Sequence, residues 1–257
     1  PVPNNPNYMF SPNLQTALVN LLLWSNLWQL TISIPKCSVL AISNFKSRTP
    51  RLYTINSYHL PQVTSCTDLG VIIDNKLTFN EHIISIVKKS YRQSALISRC
   101  FLSKNASLLK LAFTTYVRPL LEYASQIWSP HINKNIDLIE RVQRRFTKYI
   151  SNLHHLPYLS RLSRLELPSL ALRRIHLDLC TVYRILHHQT HLEPSSFFQI
   201  RHASVTRGHP FTLIKPPARL NSTKYSFHAR VVDIWNSLPL AVVSATTLQA
   251  FKFKLKI

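Results

Sequence analysis

Glycine is almost absent from the 257-residue chain, with Gly70 and Gly208 as its two occurrences. Glycine-rich loops hold phosphates in P-loop and dinucleotide-binding proteins, and a Gly-x-Ser-x-Gly turn carries the nucleophile of many hydrolases. Neither pattern occurs in the sequence, which argues against both kinds of site.

Cysteine is also scarce. Its four positions lie far apart, with no Cys-x-x-Cys pair: Cys37, Cys66, Cys100 and Cys180. This spacing indicates neither a zinc knuckle nor a disulfide framework, and no metal ligands are predicted in this segment. Free thiols suit a reducing compartment, so we expect an intracellular protein, in the nucleus or the cytoplasm.

Long apolar runs are missing as well. The most apolar stretch, from Ala17 to Leu30, is interrupted by four polar residues. It is too short and too polar to cross a bilayer, so we predict no membrane partner.

Acidic residues are few: ten Asp and Glu stand against 31 Lys and Arg, which gives a net charge of +21. Such a surplus is typical of proteins that bind a polyanion, because each neutralised phosphate releases a counterion. Nucleic acid is the first candidate and the one we expect; an anionic membrane surface is the second, and a basic protein without a specific ligand is the remaining alternative. The acids are too scattered to predict a two-metal site. Asp137 and Glu140 lie one helical turn apart, and we interpret them as ion-paired with Arg141 and Arg144.

The spacing of apolar residues predicts an α+β fold that is mostly α. An amphipathic helix, LQTALVNLLLWSNLWQL, follows its predicted cap Asn13. Short β-like runs come next, bounded by prolines and an Asn-Ser turn. They are Leu30–Ile34, Ser38–Ser43, Leu52–Ile55 and Leu69–Ile73. We expect the helix to lie on a small antiparallel sheet.

Helical periodicity begins near Glu81. Three helices are predicted: one from about Glu81, one capped by Asn105 and kinked or ended by Pro119, and one from about Asn135 to Ile150. Their basic residues, most of them without nearby acids, are Lys88, Lys89, Arg92, Arg99, Arg141, Arg144, Arg145 and Lys148. These recurring basic faces predict a groove that tracks phosphates, with a merely solvated face as the alternative.

The last third of the chain is also predicted to be mainly helical. Ser169 is predicted to cap a helix that ends near His187, and a looser stretch follows around Gly208. Another helix is predicted around FHARVVDIWNSLP. The basic residues of the tail are Lys252, Lys254 and Lys256.

Six sequence blocks occur in the same order as in one family: DLGVIIDNKLTFNEHI, YVRPLLEYASQIWSP, IERVQRRFTKYI, LELPSLALRRIHLDL, TRGH and IWNSLP. In these blocks the chain, from about Leu14 onward, resembles the carboxy-terminal part of the reverse transcriptase of non-LTR (LINE, jockey-like) retrotransposons. The resemblance implies that residues 1–75 are a palm remnant, 76–152 a basic helical thumb and 153–257 a helical carboxy-terminal extension.

The resemblance also implies roles for individual residues. Lys36, within QLTISIPKC, matches the palm lysine thought to assist the leaving pyrophosphate, although Ser33 replaces the usual Asn. Leu69, Gly70 and Val71 match the primer-grip hairpin, which holds the primer end. The Tyr-Ala-Asp-Asp loop of the family has no counterpart ahead of the first helix, so the catalytic aspartates are missing.

The implied function is that of a fragment of an RNA-directed DNA polymerase that binds RNA template and RNA–DNA duplex. We expect it to be inactive alone, and Mg²⁺ to be a cofactor only of the complete polymerase with its missing N-terminal portion. Because the sequence begins with Pro1, we expect it to be part of a longer protein. The alternative is a non-enzymatic basic helical module for nucleic-acid binding or scaffolding, domesticated or decayed.

Overall fold

The computed structural model describes residues 12–42, 52–201 and 209–255. The predicted strand end at Ser43, the loop residue Gly208 and the tail residue Lys256 lie outside these ranges. The fold is α+β and mostly α, as predicted. It divides into two compact units, residues 1–79 and residues 80–257. The three-part division at residues 75 and 152 stays a prediction.

In its described residues, 12–42 and 52–79, the first unit contains one long helix and six short strands. Its elements are α1 (Pro12–Leu27), a 3-10 turn (Ile34–Lys36), β1 (Val39–Leu40), β2 (Thr54–Ile55), β3 (Tyr58–His59), β4 (Gln62–Val63), β5 (Ser65–Asp68) and β6 (Val71–Asp74).

Helix α1 begins one residue before its predicted cap, so Asn13 lies inside its first turn. Its carboxyl end is closed by two backbone hydrogen bonds, from Gln29 N to Asn26 O at 3.2 Å and from Leu30 N to Ser25 O at 2.8 Å. This pair is a Schellman motif, in which one residue takes a left-handed conformation. Gln29, with φ 55°, fills the position that glycine usually takes.

The predicted strand Leu30–Ile34 is wrong. The chain leaves α1 through the Schellman turn and then forms the 3-10 turn around Pro35, where a proline cannot donate to a strand ladder. The predicted single antiparallel sheet is also wrong in detail, because the strands form three separate pairs. Pairs β2–β3 and β5–β6 are antiparallel hairpins, whereas β1 and β4 are parallel.

The core of this unit is small. Tyr53, Ile55 and Leu60 are buried, and α1 packs against them through Leu18 and Leu22. The Gln15 side chain fixes the helix to β2: its Nε2 donates to Thr54 O at 2.9 Å, and its Oε1 accepts from Thr54 N at 3.1 Å. Because the two bonds occupy both backbone groups of one strand residue, they set the position of α1 along β2.

A single carboxylate organises the connection after β6. Asp74 accepts hydrogen bonds from the backbone N–H groups of Lys76, Thr78 and Phe79, and from the Thr78 hydroxyl, at 2.7–3.1 Å. Partial burial raises the pKa of Asp74, but the four hydrogen bonds together outweigh burial and hold that pKa below its ordinary value of 3.8. The loop residues Leu77 and Phe79 both have φ 55°. Phe79 is held by its bond to the carboxylate, and Leu77 N donates to the backbone oxygen of Asp74 at 3.0 Å.

Replacing Asp74 with Asn should destabilise the chain by about 2 kcal/mol at neutral pH, because charge-assisted hydrogen bonds are lost. The folded pKa lies below the unfolded one, so this contribution is complete above about pH 4 and disappears as the pH falls through the folded pKa. We would compare the unfolding free energies of the wild type and Asp74→Asn across this range. A difference that does not shrink toward low pH would contradict the prediction.

The described part of the second unit is helical apart from one strand pair. Its elements are α2 (Asn80–Cys100), α3 (Ala106–Ala112), a π-helix (Phe113–Val117), α4 (Arg118–Glu122), α5 (Ser125–Trp128), α6 (Asn133–Tyr149), α7 (Tyr158–Leu165), α8 (Leu170–Leu186), α9 (Pro194–Phe197), β7 (Gln199–Ile200), β8 (Leu213–Ile214), α10 (Asn221–Lys224), α11 (Phe227–Arg230), α12 (Val232–Asn236), α13 (Leu240–Val243) and α14 (Leu248–Lys254). Strands β7 and β8 are antiparallel.

Two predicted helix caps are confirmed. The Asn105 side chain accepts from the N–H groups of Ser107 and Leu108, and the Ser169 hydroxyl accepts from Leu172 N. Pro119, however, does not end the helix that Asn105 begins. A π-turn precedes it, with Arg118 N bonded to Phe113 O, and the helix continues to Glu122. The wider turn is a common way for a helix to accommodate a residue without an N–H group.

Helix α8 connects the parts of the second unit, since it packs against α5, α6 and α14. Its carboxyl half is buried in a core with Trp235 and Phe251. The Tyr183 hydroxyl in that core donates to Ala245 O at 2.6 Å. The helices of residues 80–150 and those of the carboxy-terminal region thus share one folded unit.

Candidate nucleic-acid interface

Helix α2 presents a basic stripe on the side opposite its buried residues. Ile83, Val87 and Ile97 are buried, whereas Lys88, Arg92 and Arg99 are exposed. At about 100° per residue, these three cations fall within an arc of about 40°. The stripe therefore runs along the solvent side of the helix for about three turns.

Helix α6 presents a second stripe. Ile139, Val142 and Phe146 are buried on one face. The exposed cations on the other face are Arg141, Arg144, Arg145 and Lys148. All four lie within an arc of about 100° around the helix axis. The amphipathic pattern of the sequence thus turns every predicted cation of this helix toward solvent.

The two stripes are joined where α2 packs against α6. The Arg145 guanidinium lies over the Tyr91 ring of α2, 5.7 Å from its centroid. One turn further along α6, the Tyr149 hydroxyl donates to Ser98 O of α2 at 3.0 Å. These contacts hold the basic faces of two helices beside each other.

Lys104, in the loop after α2, belongs to the same surface but was not predicted from the sequence. Its Nζ lies 5.2 Å from the centroid of the Tyr149 ring, and its side chain is exposed. The sequence does place Lys104 directly before the helix cap Asn105, and this position could have indicated that it lies near the basic helices. We define the basic surface by these residues: Lys88, Arg92, Arg99, Lys104, Arg141, Arg144, Arg145 and Lys148.

Arg144 also has a structural contact. Its guanidinium lies over the Tyr158 ring, 5.0 Å from the centroid. Stacking of this kind fixes the plane of a guanidinium but leaves the N–H groups on its edge available. Arg144 can therefore serve both the packing of α7 and the binding of a phosphate.

Lys89 is turned away from the other predicted cations. It lies about 160° from Tyr91 around the axis of α2, on the flank opposite the α6 contact. There burial lowers the pKa of His82, and the charge of Lys89 lowers it further. The structure thus brings together seven of the eight cations predicted from the sequence, and places Lys89 at a different side of the helix.

The interpretation of Glu140 as a partner of the neighbouring arginines is wrong. Glu140 is buried, and its carboxylate accepts from Leu170 N at 3.2 Å and from Ala171 N at 3.3 Å. It also accepts from the Tyr158 hydroxyl; burial and then this bond raise the pKa of Tyr158. Glu140 therefore caps helix α8 from within the core. Asp137 is exposed, and within the described ranges no ion pair joins it to Arg141.

Other acids are also engaged away from the basic surface. The ion pairs are Lys110–Glu166, Arg118–Glu122, Arg173–Glu122, Lys215–Asp233 and Arg230–Asp178. None of the cations of the basic surface forms an ion pair within residues 12–42, 52–201 and 209–255. The basic surface therefore carries eight cations without ion-pair partners in the described ranges, which is the electrostatic condition for phosphate binding.

The predicted primer-grip residues form the tip of hairpin β5–β6. Asp68 pairs with Val71, so Leu69 and Gly70 make a two-residue turn. Both have positive φ, 44° and 85°, as a type I′ turn requires. Leu69 is unusual at such a position, and 84% of it is exposed. Lys36 lies elsewhere in the first unit, exposed at the end of the 3-10 turn.

The described residues contain neither a metal cluster nor a membrane span. No three His, Cys, Asp or Glu side chains there are grouped so that they could hold a metal ion. None of the helices in those ranges combines the length and the apolarity needed to cross a membrane.

Comparisons with known proteins relate about half of this chain to transposon polymerases. The chain is 27% identical over 135 residues to the probable RNA-directed DNA polymerase from transposon X-element of Drosophila melanogaster, covering 50% of this chain and 14% of that protein. It is 25% identical over 144 residues to the probable RNA-directed DNA polymerase from transposon BS of the same species, covering 54% and 16%.

A third relative, an uncharacterized protein of Caenorhabditis elegans, is 28% identical over 127 residues, covering 48% of this chain and 64% of that protein. No family model and no solved structure matches the chain. The chain spans less than two thirds of the length of these relatives. The similarity supports a reverse-transcriptase-related region over about half of the chain.

Proposed function

We propose that this chain is the carboxy-terminal part of a non-LTR retrotransposon reverse transcriptase, and that its basic surface binds the template–primer duplex. The observation that carries the proposal is the pair of helices α2 and α6, whose exposed cations lie side by side without ion-pair partners in the described ranges. The similarity to two transposon polymerases supports the polymerase context.

The chemistry of the basic surface suits a sequence-independent contact. Phosphate contacts from Lys and Arg position a protein on a duplex without reading its bases. A polymerase that copies any template needs this kind of contact in its thumb. In this proposal residues 76–152 form the thumb, and the RNA–DNA duplex is recognised by its backbone and its shape.

The exposed turn at Leu69 and Gly70 is proposed as the primer grip. A leucine held in the left-handed region costs about 1 kcal/mol, and such strain often persists where a backbone conformation serves a contact. The turn presents its backbone to solvent at the tip of a hairpin. Lys36 is proposed as the accessory lysine that neutralises the leaving pyrophosphate.

We expect the 257-residue chain to bind an RNA–DNA duplex but not to extend its primer, even with Mg²⁺ and nucleotides. The sequence has no counterpart of the Tyr-Ala-Asp-Asp loop, which would hold the metal ions in the complete polymerase. Binding would be followed by fluorescence anisotropy over a range of salt concentrations, and synthesis by primer extension on the same duplex. Primer extension by this chain would refute the assignment of a segment without catalytic aspartates.

The binding assay also separates the proposal from its alternative. A polymerase thumb should prefer an RNA–DNA duplex to single strands, with a steep salt dependence. A scaffold module that docks on proteins should bind every polyanion weakly and without preference for a duplex. Equal affinity for duplex, single-stranded RNA and heparin would favour the alternative.

A further inference from the structure

A cavity of about 180 Å³ lies in the helical unit, between helices α6, α8 and α12. None of its lining residues belongs to the basic surface or to the proposed primer grip. Its walls are mainly aliphatic, with Ile136, Ile175, Leu179, Val231 and Ile234. Ile136 and Ile234 are partly exposed, whereas Leu179 and Val231 are buried, so the cavity has a mouth and a closed floor.

The ion pair between Asp178 and Arg230 lines the cavity, and most of the hydrogen-bonding groups of Arg230 are already used. Asp178 receives two hydrogen bonds from Arg230, one from Nε at 2.9 Å and one from Nη2 at 3.1 Å. The remaining N–H groups of Arg230 donate to Gln126 O at 2.9 Å and Tyr225 O at 3.1 Å. Arg230 therefore neutralises Asp178 and has little capacity left for a ligand.

Arg174, one helical turn before Asp178 on α8, is a buried cation that lacks such a partner. It lines the cavity with only 3% of its surface exposed, and its Nη1 has no hydrogen-bond partner among the described residues. Burial lowers the pKa of Arg174, and the charges of Glu140, Glu122 and Asp178 oppose that shift. An arginine remains protonated under such conditions, so the buried charge persists.

The acids around Arg174 are each bound to other donors. Glu140 caps α8, and Asp178 is held by Arg230. Glu122 is shared between Arg118 and Arg173. The cluster thus contains four guanidinium groups and three carboxylates, a surplus of one positive charge. A buried charge without a counter-charge is costly, and an anion in the cavity would supply the counter-charge for the Arg174 guanidinium.

We propose that this cavity binds a small aliphatic monocarboxylate, with its carboxylate on Arg174 and its carbon chain against the isoleucine-lined wall. A cavity of about 150 Å³ with such walls holds benzene, so a ligand of similar size fits. The single surplus charge selects a monoanion. A phosphate dianion would leave one negative charge beside Asp178, and it would bring no apolar part to fill the walls.

The test compares two ligands of equal shape on the complete 257-residue chain. The probes are 3-methylbutanoate and its neutral isostere 3-methylbutanamide, followed by NMR of ¹³C-labelled isoleucine methyl groups. We expect the methyl signals of Ile136, Ile175 and Ile234 to shift with 3-methylbutanoate, whereas that of Ile83, buried elsewhere on α2, stays unchanged. The acid should bind at least about tenfold more tightly than the amide, because a hydrogen-bonded ion pair forms only with the acid.

A substitution at Arg174 tests whether this residue causes the preference for the acid over the amide. Arg174→Met keeps the length of the side chain, and we expect it to bind the acid and the amide equally. The ligand comparison on the wild type decides the proposal even where Arg174→Met does not fold. Equal binding of acid and amide by the wild type, or no methyl shifts at millimolar ligand, would overturn it. So would a preference for the acid that Arg174→Met retains.

Discussion

Replacing Arg141, Arg145 and Lys148 with alanine should weaken the binding of a duplex roughly 100-fold at about 0.1 M salt. Each of these cations is exposed on α6, and none forms an ion pair within the described ranges. A phosphate that is no longer neutralised keeps its counterion, so the slope of log K against log salt should flatten by about 0.9 for each such phosphate on B-form DNA. Fluorescence anisotropy on one duplex at several salt concentrations measures both effects.

The matched control is a second triple variant that removes the same number of positive charges outside the basic surface. Arg184, Arg201 and Arg219 are exposed residues outside helices α2 and α6, and their triple alanine variant also removes three positive charges. We expect a much smaller change of slope for this variant, because charges that do not touch the duplex release few counterions. Arg144 is kept in both variants because it contacts Tyr158. Arg145 also contacts a ring, that of Tyr91, so the unfolding free energies of both variants are compared with that of the wild type. Equal slopes for the two variants would contradict the assignment of the basic surface.

The helices that carry the basic surface could be predicted well from the sequence. The buried seam of α6, with Ile139, Gln143 and Phe146, follows the 3.6-residue period, so it also fixes which cations face solvent. The cap at Asn105 has a local cause, a side-chain oxygen facing two free N–H groups. Features decided within one or two helical turns were thus accessible to sequence reasoning.

Features that depend on tertiary contacts were not accessible. Glu140 looked like an i, i+4 partner of Arg144, yet its carboxylate caps α8, whose first residue lies 30 positions further along the chain. Lys104 joins the basic surface only because Tyr149 of another helix lies beside it. The parallel pair β1–β4 likewise brings together strands that no turn signal connects. Spacing along the chain carries no information about such neighbours.

Replacing Arg230 with Met should cost about 3–5 kcal/mol of unfolding free energy, the largest effect we expect for a single substitution outside the apolar core. Asp178 is buried, with 4% of its surface exposed, and both of its oxygens accept from Arg230. Without that partner the carboxylate stays in a buried site and loses both of its charge-assisted hydrogen bonds. The carbonyl groups of Gln126 and Tyr225 are also left without their donor.

Two comparisons show whether the burial of Asp178 causes the expected loss of stability in Arg230→Met. Lys215–Asp233 is an exposed ion pair of the same unit, with side chains 48% and 68% exposed, and Lys215→Met should cost less than about 1 kcal/mol. Adding Asp178→Leu to Arg230→Met should recover much of the stability, because no charge then remains unpaired. Urea denaturation followed by tryptophan fluorescence measures all of these variants, with Trp128 and Trp235 as the buried reporters. If Arg230→Met cost no more than Lys215→Met, the Arg230–Asp178 pair would have no larger role in stability than a surface contact, and helices α5, α8 and α11 would be held together by their apolar packing alone.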